Sequence, residues 1–413
     1  MDKNNATGLL LISLLLLAYF LVFSPEEQQL PQPEVTPQEQ ATTTQGQEEK
    51  DIEQLQPQAP EITEPDSVLA EKFGFFGRAM RGQAQEVVLE NDVMTVVFDV
   101  KGAYPKQVTL KNYLTYGEQP VVLISEDRTR ISETLQTAGG EIDLNTLYYQ
   151  VQQSAGQVQF SIADGQGRSL TRTYSLGELD YTLGYDLDLN GLGSEVPAQN
   201  LNYYWYNEML LVEKDMPQSR IRSTINYYTL EGSFENLSET SEEEESDMVE
   251  VPVQWVAMKQ KFFNTALVTD TRFEQVEVAT DVPKESTTLV KKAEMQLNIP
   301  LEGITSGEAN LRYYFGPNDY NICEAVAPGF EDNVYLGWSI FSTINLYLII
   351  PLFEFLEDYI ANYGIIILIL VFIVKSFLFP LTYRSYFSMA KMRVLQPELT
   401  ELREKYPDDM QTQ

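Results

Sequence analysis

Residues 363–381 read YGIIILILVFIVKSFLFPL, a stretch apolar throughout except for Ser376 and interrupted by one charge, Lys375. It is long enough to cross a bilayer as a helix. An ionisable group inside such a helix is costly, which makes Lys375 a functional-site candidate by default. A second reading stands beside it. Arg384 follows nine positions later, roughly 13 Å of helix rise, and a lysine can snorkel part of that distance toward a basic flank. The residues alone leave both readings open.

A second apolar run, GLLLISLLLLAYFLVF from Gly8 to Phe23, follows the head MDKNNAT. No A-x-A cleavage pattern follows it and no cysteine stands near Ser24, so residues 1–24 read as an uncleaved transmembrane anchor rather than a signal peptide or a lipoprotein leader. Basic residues set the orientation. Arg384, Lys391 and Arg393 stand among residues 381–393 without an acid, whereas 313–374 hold no Lys or Arg and include Glu324, Glu331, Asp332, Glu354, Glu357 and Asp358. The positive-inside rule then places residues 382–413 in the cytoplasm and residues 25–362 on the exported side, in a chain that passes the membrane more than once. Residues 25–67, rich in Gln, Glu, Pro and Thr, read as a disordered tether.

The formal net charge of -33 argues against nucleic acid or anionic lipid as a ligand of the exported part. Cys323 is the single cysteine, so no intrachain disulfide can form. The sequence has no histidine, which removes catalytic triads, imidazole bases and imidazole metal ligands. No cofactor is expected.

Residues 68–328 alternate apolar and polar positions between turn signals. Met94 to Val100 precedes Lys101-Gly102; Val158, Phe160 and Ile162 alternate before Asp164-Gly165; Tyr181, Leu183, Tyr185, Leu187 and Leu189 fall on one face. Period two over many short segments predicts a large antiparallel β domain packed as a sandwich. The acidic run Glu239 to Asp247, with Glu242-Glu243-Glu244-Glu245 within it, reads as a solvated loop. Its oxygens do not by themselves make calcium-ligand geometry.

Residues 336–358 enclose GWSIFSTINLYLIIPLFEFL, apolar but broken by Pro351 and followed by acids. An amphipathic helix lying on the exported membrane surface fits this better than another span. Tyr386 to Tyr406 reads as helical, with Met389, Met392 and Leu395 on one face and Pro397-Glu398 opening a fresh turn. A lone amphipathic helix needs a partner, so the chain is expected to continue past Gln413.

The tail YRSYFSMAKMRVLQPELTELREKYPDD closely resembles the YidC family of membrane protein insertases, together with Ile373-Val374-Lys375 and Phe379-Pro380-Leu381-Thr382 before it. Ser388-Met389-Ala390-Lys391-Met392-Arg393 followed by Leu395-Gln396-Pro397 is the most specific part. Trp255-Val256-Ala257-Met258-Lys259-Gln260, Phe262-Phe263, Tyr314-Phe315-Gly316-Pro317 and Gly337-Trp338 are similar too. The resemblance spans nearly the whole chain apart from the tether and points to the Gram-negative form. It implies a membrane protein with an N-terminal transmembrane anchor, a periplasmic all-β supersandwich domain (68–328), an interfacial helix (336–358), the first core transmembrane helix of an α-helical insertase (363–381) and the start of a cytoplasmic helical hairpin (382–413). It implies a home in the inner membrane, C-terminal truncation of the sequence in hand, and a hydrophilic groove into which a cation at the position of Lys375 faces. Lysine keeps that charge without the planar fork of the arginine found in many members.

Nascent membrane proteins and the lipid bilayer are the partners the resemblance implies, with the Sec translocon and the ribosome as further candidates. Arg384, Lys391 and Arg393 would contact ribosome or lipid phosphates, or serve as topology anchors. Neither nucleotide nor covalent chemistry is needed, and no P-loop lysine motif is present. Three rivals remain. A membrane-tethered periplasmic carbohydrate-binding module leaves the Lys375 helix unexplained; a mutarotase-like enzyme would want histidine; a structural envelope module would lack further spans.

Overall fold

The computed structural model describes residues 66–177 and 181–405. The anchor at 1–24 and the tether at 25–67 therefore lie outside the described residues, except that Asp66 already opens a helix, Asp66–Phe73.

One strand organises the β domain. Phe263–Asp281 is 19 residues long, several times the usual strand, and serves two layers. Its first half pairs with Val253–Lys259 on one side and Leu311–Pro317 on the other. Its second half pairs with Glu245–Val249 and Leu289–Pro300. Between the halves the register breaks from Glu274 to Glu277, and Gln275 takes a positive φ of 50°. An extra residue of this kind bends a strand and sharpens its twist, which turns the strand from one layer into the other.

The first layer continues from Leu311–Pro317 through Thr182–Asn190, Ser169–Leu176 and Gln157–Ala163 to Gln150–Ser154. On its other flank Val253–Lys259 leads to Thr224–Thr229. The second runs from Leu289–Pro300 through Asn200–Leu210 and Thr129–Thr137 to Gly140–Asp143. All these pairings are antiparallel, so alternate residues face inward. Gln157–Ala163 buries Val158, Phe160 and Ile162, as its alternation predicts. Tyr181, Leu183, Tyr185 and Leu187 are likewise buried.

Between the layers, Trp205 meets Tyr313 and Phe315 at 5.7 and 6.2 Å between ring centres. Both Trp205 and Tyr313 are fully buried, and truncating either to alanine would cost about 3–5 kcal/mol. A smaller sheet of Glu86–Glu90, Met94–Asp99, Pro105–Leu114 and Pro120–Ile124, in chain order, packs on the first layer. Its Phe98 ring lies 4.7 Å from that of Tyr174 and 5.7 Å from that of Phe160. Arg128 joins this sheet to the second layer: its guanidinium donates to the carbonyls of Val122 and Leu123 and to that of Glu208.

The acidic run is not a loop throughout. Glu245, Ser246 and Asp247 pair with Thr280, Ala279 and Val278. Their backbones complete the ladder while Ser246 and Asp247 point to solvent, so a strand at this edge tolerates the charges. Residues 242–244 precede it as an exposed connection, and Glu243 accepts from Lys284 at 3.2 Å.

The outer face of the first layer is covered by the last part of the domain. Trp255 stacks parallel to Tyr228, meets Phe330 at 5.0 Å and donates its indole N–H to Pro328. Beyond this cover come Ser339–Ile344, a π turn at Asn345–Ile349 and the helix Ile350–Glu357. The π turn has a cause. Pro351 has no N–H and its ring crowds the carbonyl four residues back, and the widened turn, in which the Ile350 N–H donates to Asn345, keeps the axis helical.

Tyr363–Lys405 then forms one helix of 43 residues. Neither Pro380 nor Pro397 ends it, which differs from the fresh turn expected at Pro397. A proline removes one hydrogen bond without necessarily stopping a helix, and hydroxyls near both prolines bond back along the turn: Thr382 to Leu378 at 2.9 Å and Thr400 to Gln396 at 2.8 Å.

Candidate functional site

Lys375 lies in the C-terminal third of the apolar part of this long helix. Its side chain is exposed and meets no hydrogen-bond or ion-pair partner among the described residues. The neighbours one turn away, Phe372 and Phe379, are also exposed, at 73% and 63%. Ile340–Glu357 and Tyr363–Pro380 are the two described segments long and apolar enough to cross a membrane. A side surface made of bare aromatic and aliphatic groups is stable in lipid or against other helices, not in water.

Helix geometry separates the basic residues. Each residue turns the helix by about 100°. Thr382 and Arg393 therefore return to the stripe of Lys375, whereas Arg384 and Lys391 fall on the opposite side. Arg384, Lys391 and Arg393 are all exposed, and the Lys391 ammonium sits 4.6 Å above the Phe387 ring. The structure thus brings Arg393 into line with Lys375 and sets Arg384 and Lys391 apart. Spacing alone carried this division, once the proline-containing segment is a single helix.

The β domain offers other polar clusters. Glu239 accepts from Lys259, and its backbone carbonyl accepts from Lys291 at 3.2 Å. Burial holds the Lys291 ammonium well below the usual lysine range, at about 8. Cys323 is buried against Tyr314, and burial pushes its thiol up to about 12, so it is a packing residue and not a nucleophile. A cleft of about 590 Å³ opens beside Leu192, Val196, Gln199, Arg272, Glu274 and Glu302. No aromatic ring lines it for stacking on a sugar, and Arg272 spends its charge on Glu274 at 2.6 Å.

The fold defines the class: a membrane protein with a large all-β domain and apolar helices that follow it. Residues 86–349 match the YidC periplasmic domain and residues 355–413 match the 60Kd inner membrane protein family. The chain belongs to the YidC family of membrane protein insertases. It is 36% identical over its whole length to "Membrane protein insertase YidC" of Amoebophilus asiaticus, covering 68% of that protein. It is 37% identical, again over its whole length, to the protein of the same name from Cytophaga hutchinsonii, covering 67% of it. Among solved structures, YidC from Thermotoga maritima is similar at 13% identity and a TM-score of 0.33, over 78% of this chain and 77% of that one. Relatives of this family are inner membrane proteins.

Proposed function

We propose that this protein inserts nascent membrane proteins into the inner membrane by giving their polar exported tails a wet, cation-bearing path part of the way across. The observation that carries this reading is Lys375, the one charge in a segment otherwise built for lipid. A client tail must otherwise cross about 30 Å of hydrocarbon, where each unsatisfied backbone or charged group costs several kcal/mol. A hydrated groove shortens the dry path and an ammonium within it draws acidic tails. The client's apolar helix then partitions into lipid. No bond is made or broken, so the protein acts as an insertase and chaperone without catalysis.

In this reading residues 1–24 anchor the chain, 68–328 form the periplasmic domain on its tether, 336–358 lie in the membrane surface, 363–381 cross it and 382–413 begin a cytoplasmic hairpin. The exposed Arg384 and Lys391 share a face suited to phosphates of lipid or ribosome. The Sec translocon is a second partner for clients with large exported parts. The chain spans about two thirds of the length of the relatives above.

Lys375→Glu, carried in the protein as the cell makes it, tests the reading in cells depleted of the native copy. Insertion of clients with acidic exported tails should fall while Lys375→Arg preserves it. Unchanged insertion with glutamate at that position would overturn the role of the charge.

A further inference from the structure

Three loops, 115–119, 211–215 and 260–262, meet with the strand ends that enter them at the end of the β domain from which the chain passes into its apolar helices. The Tyr116 N–H donates to Val212 at 2.8 Å and the Asn318 N–H to Phe262 at 2.8 Å. Tyr113 sets its ring edge-on to Phe263 at 5.3 Å, and Leu210, Val212, Lys261 and Phe262 line one narrow crevice. One contact places this end beside the membrane helices: the Asn321 amide, three residues beyond the Asn318 that bonds to Phe262, donates to the Glu354 carboxylate.

Three of the exposed side chains there are apolar or aromatic. Leu114 is 61% exposed, Tyr116 65% and Phe262 47%, and two of them carry a lysine on the ring: Lys214 over Tyr116 at 5.3 Å and Lys261 over Phe262 at 4.9 Å. Isolated exposed apolar residues mean little, but a cluster on adjoining loops marks a contact surface. An aromatic body with a long cationic arm above it suits the boundary where apolar chains meet phosphates. Glu118 and Glu213 stand among these lysines, so the patch carries no strong positive field and does not select a polyanion.

We propose that this end of the β domain rests on the phospholipid surface, with Leu114, Tyr116 and Phe262 seated at headgroup depth and Lys214 and Lys261 reaching headgroup phosphates. The inference rests on the reading that residues 363–380 cross the bilayer beside this patch. It adds a second membrane contact, made by β loops rather than helices, which fixes the height and tilt of the domain over the insertion path.

The test uses the full chain in phosphatidylcholine vesicles with a polarity-sensitive fluorophore on a single introduced cysteine, in turn Tyr116→Cys, Phe262→Cys, Val88→Cys and Phe372→Cys. Buried Cys323 stays unlabelled. Val88, 45% exposed on a strand of the small sheet, is the aqueous reference and Phe372 the lipid reference. Labels at 116 and 262 should be blue-shifted and quenched several-fold more by headgroup-borne spin label than the label at 88. If both respond only to aqueous iodide while 372 still reports lipid, the contact is refuted and the spanning helix stands. If 372 reports water as well, the spanning reading falls and the contact with it.

Discussion

Arg172 and Glu133 meet at 2.6 Å with neither side chain exposed at all, one from each layer of the β domain. Tyr185 donates its hydroxyl to the same carboxylate at 2.6 Å. Arg172 also donates to Asn145 at 2.9 Å and to the carbonyl of Gly102, between the rings of Tyr149 and Tyr185. The guanidinium Nη2 approaches Glu133 without hydrogen-bond alignment, so this is charge contact more than directed bonding. Glu133 raises the Arg172 pKa against the opposing effect of burial.

Arg172→Met leaves a buried carboxylate without its counter-charge and should cost about 3–5 kcal/mol. Arg172→Met with Glu133→Leu should recover most of that loss, because two apolar side chains fill the space without desolvating charge. Denaturant unfolding of both variants, followed by near-ultraviolet circular dichroism, measures the difference. A double variant no more stable than the single one would contradict this account.

Lys291 gives the β domain a pH dependence with a definite sign. Burial favours the neutral amine, so the folded chain loses this proton near pH 8 while the unfolded chain holds it to about 10.4. Between these values the unfolded state binds more protons, and stability rises with pH; below about 8 the cost is constant. Holding Lys291 charged at pH 7 costs on the order of 3 kcal/mol. The unfolding midpoint should climb from pH 8 toward 10 and flatten in Lys291→Met. A wild-type midpoint that is flat or falls through that interval would exclude the mechanism.

The two faces of the long helix should capture different neighbours. A photo-crosslinking residue at Thr382 or Arg393, on the stripe of Lys375, should trap a client chain during insertion. One at Arg384 or Lys391 should trap lipid or ribosomal components. Client adducts equally distributed over all four positions would mean the stripe does not line a groove.

Deleting most of residues 70–320 should impair insertion far less than Lys375→Glu does. Growth of depleted cells on the shortened protein reads this out. Complete loss with normal amounts of the shortened chain would move the active part out of the membrane.

What the sequence discloses here is local. The alternation at Val158, Phe160 and Ile162 predicts a strand and its buried face because the pleat repeats every two residues whatever the strand pairs with. Pairing depends on partners far along the chain, and no period in Phe263–Asp281 announces that it serves two layers. The strand at Glu245–Val249 stays hidden because its acids signal solvent while its backbone supplies the ladder. The Arg172–Glu133 contact is equally invisible, since nothing in either neighbourhood marks a charge as buried. Lys375 stands out for the opposite reason: one cation in a long apolar run is conspicuous without any knowledge of its neighbours. Which residues share its stripe became legible only with the helix shown unbroken through Pro380.

Because both layers depend on the single strand Phe263–Asp281, neither can close while that strand is still inside the ribosome. Nearly two hundred residues from Asp66 onward must wait as an open sheet fragment with their inner faces bare until the strand arrives. A member of the insertase family thus passes through an exposed, aggregation-prone stage of its own.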